Sequence, residues 1–236
     1  MATNTLSWKR PAAGGGVDGV AFERARAYIA GPVTPEDGLM PALKWAFQHH
    51  PEGRWERIGI LVPGQEEVRG HRELHRLRAR GVTVEAATEP GALTGFTGPV
   101  IAYCPDLHAL AVAERLPITC GIVAVAADNA ALRPWVHAFI PQHLAGHVLT
   151  PVQPLLPDAT VRRAMVYFTH RLTTMSLADD HSRVEGIVKG LRQLRAQGAV
   201  FTAEELIGLA LQLNWPAGAV DRLQQLTTES FPEPAA

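Results

Sequence analysis

The chain has 236 residues, 47% apolar and 19% charged, which is the composition of a folded globule large enough to bury a real core. Twenty-two Lys and Arg against 23 Asp and Glu leave a net charge of −1, so bulk attraction to nucleic acid or an anionic membrane is not expected. No run approaches the ~18–20 consecutive apolar residues of a membrane span.

Residues 1–17 and 232–236 read as tails. Lys9 and Arg10 are followed by Pro-Ala-Ala-Gly-Gly-Gly and not by the apolar stretch of a secretory signal, so a cytoplasmic location is expected. Ala21, Phe22, Ala25, Tyr28 and Ile29 recur at helical spacing before Gly31-Pro32, which predicts a helix over 18–30. A second helix begins at Thr34 as cap and Pro35 in the first turn, with Leu39, Leu43, Ala46 and Phe47 as its buried stripe.

Four short apolar runs follow: Ile58 to Val62, Val82 to Ala87, Val100 to Cys104 and Gly121 to Ala126. Runs without polar alternation are strands buried on both faces, as in a parallel sheet under helices. Helices are predicted over 65–80, 106–115 and 130–138. The stretch Glu89 to Gly98 is too short for a helical crossover, so the strands on either side of it need not be sheet neighbours.

Pro151, Pro154 and Pro157 stiffen a linker over 150–157, and the rest of the chain has helical periodicity. Thr202 and Glu205 form a capping box, and Trp215-Pro216 separates the last two helices. These two helices have the outline of a helix-turn-helix, but Ala217 to Glu229 carries one basic residue, Arg222, where a DNA reader needs several. The expected architecture is an α/β domain over 18–149, with an open, mostly parallel, Rossmann-like sheet of four to five strands, followed by a helical bundle over 158–231.

In such a sheet ligands bind beyond the carboxyl ends of the strands, where helix N-termini and loop amides converge. That rule selects Gly64, Gln65 and Glu66 after one strand, Glu89 after the next, Asp106 and His108 after a third, and Asp128 and Asn129 after a fourth. Asp106, His108 and Asp128 are the candidate catalytic groups, with His108 in a helix first turn where the dipole keeps imidazole neutral. Capping alone also accounts for Asp106 and Asp128. No Gly-x-Gly-x-x-Gly, P-loop or Gly-x-Ser-x-Gly run follows any strand, so no cofactor is identified.

His71 and His75, like His143 and His147, lie four apart without the remainder of a ligand set, and no metal is assigned. Arg69, Arg72, Arg76 and Arg80 fall in one sector opposite Leu74 and Leu77, either as a solvated face or as a binding stripe for anionic groups, with Arg72 and Arg76 as its centre. The pentapeptide Tyr28 to Pro32 resembles the opening strand and loop of nucleoside deoxyribosyltransferases, which use a Glu nucleophile on an N-glycosidic bond. The resemblance spans five residues; the family's later acidic motifs have no counterpart, and no site residue is carried over.

The reading is therefore a binding or adaptor protein with an α/β scaffold and a partner-docking helical domain, its partner a second protein or another copy of itself. The alternative is a hydrolase or transferase acting on a small phosphorylated or nucleotide-like molecule at the strand ends.

Overall fold

Six strands, β1 (Ala25–Ala30), β2 (Gly59–Val62), β3 (Thr83–Ala86), β4 (Val100–Tyr103), β5 (Gly121–Ala126) and β6 (Gln142–Gly146), form one all-parallel sheet in the order β3-β2-β4-β5-β1-β6. The computed structural model describes residues 24–31, 34–50, 54–127, 129–149, 158–173 and 180–231. The predicted tails and the 150–157 linker lie outside the described residues.

Side chains alternate along the strands. Ala27, Ile29, Ile60, Val62, Ile101, Tyr103, Val123 and Val125 enter one core, and Tyr28, Ala30, Leu61, Ala102, Ile122 and Ala124 enter the other. The first core is covered by helices α1 (Pro35–His49), α2 (Gln65–Gly70) and α3 (Arg72–Ala79). The second is covered by α4 (Leu107–Arg115) and α5 (Leu132–Phe139), with α6 (Ala159–Thr173), α7 (Asp180–Ala196), α8 (Ala203–Gln212) and α9 (Ala217–Ser230) packed onto them. The apolar stripes of the last four helices are spent in this shared core, where α5 meets α8 and α4 meets α9.

The sheet has two strands more than the four predicted outright. The segment predicted as the end of a helix over 18–30 is strand β1, buried from Ala27 onward between β5 and β6. Both of its edges receive backbone partners, and Arg24 and Arg26, which would decorate a solvated helix, instead reach across to Glu114. Strand β6 carries no continuous apolar run because it is an edge strand, paired among the described residues only with β1 and interrupted by a register shift opposite Tyr28 and Ile29.

The helix predicted over 65–80 is two helices, because His71 has an extended backbone (φ −105°, ψ 107°) that ends α2 and opens α3. Strands β3 and β4 are separated by β2. The connection between them is a chain of turns that places Ala92, Leu93 and Phe96 against the core where a helix would otherwise sit. Thr34 caps α1 through the Asp37 amide as predicted, whereas Phe47, assigned to the buried stripe, is 37% exposed.

Candidate functional site

The chain leaves β2 toward the α2 face and leaves the adjacent β4 toward the α4 face, so the loops at their carboxyl ends diverge. A crevice at this point is where an open parallel sheet binds ligands. Its polar groups, however, are engaged with one another. The Gly64 amide donates to Glu67 Oε2 at 3.0 Å, and Gln65 Nε2 donates to Glu89. Glu66 is exposed. Asp106 Oδ1 accepts from the Ala109 amide at 2.7 Å, which is the capping role.

His108 lies between the strand ends, where the Ala87 backbone and Asp106 act on its ring, and α9. Its Nδ1 lies 2.6 Å from Asp221 Oδ2 on α9, and that hydrogen bond raises the imidazole pKa against the opposing effect of burial. The helix dipole, expected to favour the neutral ring, is opposed here by a carboxylate in direct contact, whose effect is the larger at this distance. Of the three candidate catalytic groups, Asp106 caps α4 and also acts electrostatically on His108, His108 bonds to Asp221 of α9, and Asp128 lies outside the described residues.

Asn129 follows β5 at a second divergence, between β5 and β1, and its Oδ1 is buried without a hydrogen-bond partner among the described residues. The backbone there is closely apposed, since a Cβ on Gly31 would lie 2.5 Å from the Ala127 carbonyl oxygen.

Cys104 follows β4 in the left-handed region (φ 48°), beside Tyr103, and Glu36 and Glu67 are near enough to act on the thiol. Burial first, then these two carboxylates, push its pKa up to about 11, so the sulfur is a thiol at neutral pH and a poor nucleophile. His71, paired with His75 in the sequence, instead contacts Glu36 at 3.3 Å and packs edge-on against Tyr103. His75 is exposed on α3, and His143 packs against Tyr28. The break at His71 thus sends the two imidazoles of the first pair to different surroundings.

Among the described residues, depressions of the surface lie elsewhere, one of about 440 Å³ on α6 beside Arg162, Arg163 and Val166, and others between α1 and α3. Two adjoining depressions of about 360 and 330 Å³ share Met40, Leu43, Leu77 and Arg80. Their lining is mostly apolar, and Met40 is 65% exposed above it. The arginine stripe forms the α3 rim. Arg76 contacts Glu73, whereas Arg72, Arg78 and Arg80 are exposed and make no ion pair with a described residue. Met40 is adjacent in sequence to the buried Leu39. The chain matches no protein-family model, no curated protein and no solved structure.

Proposed function

We propose that this chain is a binding or adaptor protein and that the groove between α1 and α3 is its docking surface. The observation that carries the reading is the exposed Met40 over an apolar floor of Leu43 and Leu77. A large apolar side chain held in water beside a concave apolar surface gains free energy when a partner covers both. At the strand ends, in contrast, Gly64, Gln65, Glu89, Asp106 and His108 already satisfy one another or a neighbouring helix, and a raised Cys104 thiol does not supply a nucleophile. The packing of α6–α9 on the α4 and α5 side of the sheet does not cover the α1–α3 surface, which is compatible with this reading.

The test is site-specific photocrosslinking. A photoreactive amino acid at Met40 should yield one discrete adduct in extract of the source cells, while the same group at Gln225, on the far side of the fold, should not. Loss of the Met40 adduct on Leu77→Asp, with the melting temperature unchanged, supports docking. Equal labelling from both positions sinks it.

A further inference from the structure

On the α2 face of the crevice between β2 and β4, four elements bring their polar groups to one corner. Tyr103 is the last residue of β4 and Cys104 follows it, Glu36 stands in the first turn of α1, and Glu67 stands in the first turn of α2. Glu36 acts electrostatically on both the Tyr103 phenol and the Cys104 thiol, and Glu67 acts on the thiol as well. No Lys or Arg is among the groups that act on either. Each carboxylate spends one oxygen locally, Glu36 Oε1 on His71 and Glu67 Oε2 on the Gly64 amide, and the other oxygen of each has no partner among the described residues.

Tyr103 is the second, independent observation. It is 1% exposed, its ring is held edge-on by His71, and its hydroxyl makes no hydrogen bond within the described residues. A buried tyrosine hydroxyl ordinarily has a partner. Beside two carboxylates this phenol stays protonated, since burial and the neighbouring charges both raise its pKa. The open positions of the corner are thus two carboxylate oxygens, a phenol oxygen and a thiol, in a negative field; what is missing is a charged donor. Among the described residues no three His, Cys, Asp or Glu side chains are arranged to hold a metal ion. Acceptors spread over four elements suit an organic group that meets them singly.

We infer that this corner binds a small organic cation, an alkylammonium or alkylguanidinium, whose charged head lies between Glu36 and Glu67 and gives one N–H to the Tyr103 hydroxyl. Charge-assisted hydrogen bonds to the free carboxylate oxygens supply the attraction, and the partly buried setting strengthens them relative to an exposed pair.

Three probes of one shape test the inference on the full-length chain by titration calorimetry at neutral pH and matched low ionic strength: n-butylguanidinium, n-butylammonium and the uncharged n-butylurea. At least one cation should bind about tenfold or more tightly than the urea, as hydrogen bonds between charged partners predict, and the tighter of the two identifies the head group. Glu36→Gln, at an exposed position, and Glu67→Gln, which keeps an acceptor for the Gly64 amide, should each remove most of that preference. Tyr103→Phe should weaken the cation about fivefold with an unchanged melting temperature, because the hydroxyl it deletes holds nothing in the fold.

Equal affinity for the urea and the cations, a preference that both glutamine variants retain, or no binding of any probe overturns the cation site. Full affinity in Tyr103→Phe, or a weakening matched by a lowered melting temperature, overturns the contact assigned to its hydroxyl.

Discussion

His108 on α4 and Asp221 on α9 meet at 2.6 Å, and a second imidazole–carboxylate contact, His137 on α5 with Glu204 on α8 at 2.5 Å, crosses the same boundary. Each joins a helix that covers the sheet to one of the C-terminal helices. Arg133 also approaches Glu204 at 3.9 Å, and Asp106 is the other charged group acting on His108.

The His108 contact makes stability depend on pH with a definite sign. Asp221 raises the folded-state pKa above the unperturbed value of ~6.5, so the folded chain holds the proton more tightly than the unfolded one. The contribution is fully present below about pH 6.5 and is lost as pH rises through the raised folded value. His108→Ala should therefore cost about 1 kcal/mol at about pH 5.5 and less at about pH 8.5. Urea unfolding of both proteins at the two pH values measures the difference; the same cost at both would mean that the charge on the ring contributes nothing.

Glu114 is 4% exposed and gathers Arg24, Arg26 and the Trp135 indole around one carboxylate. Removing it leaves two guanidinium groups and an indole N–H short of a partner at the start of β1. Glu114→Ala should cost about 3–5 kcal/mol, the range for breaking a buried ion pair from one side. Thermal unfolding measures the loss; a cost well below this range would mean that water replaces the carboxylate.

Cys104 follows β4 at the carboxyl edge of the sheet and Cys120 precedes β5 at the amino edge, which separates them by about 20 Å at ~3.3 Å per residue and forbids a disulfide. Non-reducing peptide mapping should recover both as thiols. With its pKa at about 11, Cys104 should react with iodoacetamide roughly tenfold faster for each pH unit up to that value. Rapid labelling near neutral pH would show that the thiolate is stabilised by a group other than those found around it.

Asp106 accepts the Ala109 amide at the start of α4, so Asp106→Ala should cost about 1 kcal/mol of helix capping. Asp106→Asn, which can still accept that hydrogen bond, should restore most of it. Chemical denaturation of both variants separates capping from any other role of the charge.

The chain's own pattern determined the alternation of short apolar runs with helical ones. It also determined the Thr34, Asp106 and Thr202 caps and the exact span of β5, because each depends on neighbours within a few residues. The tertiary structure decided what depends on long-range partners. Tyr28 and Ile29 have a spacing compatible with either a helix or a strand, and they became strand because β5 and β6 offer hydrogen bonds on both sides. Residues 142–146 carry a polar edge strand that only pairing with β1 defines. At the candidate sites, local rules placed Asp106 and His108 correctly at the start of α4, but Asp221, 113 residues further along the chain, decided where His108 points. The same holds for the groove. The arginine row was legible as a helical face, whereas its position beside Met40 follows from the packing of α1 and α3 side by side on the sheet, a distance that sequence spacing cannot encode.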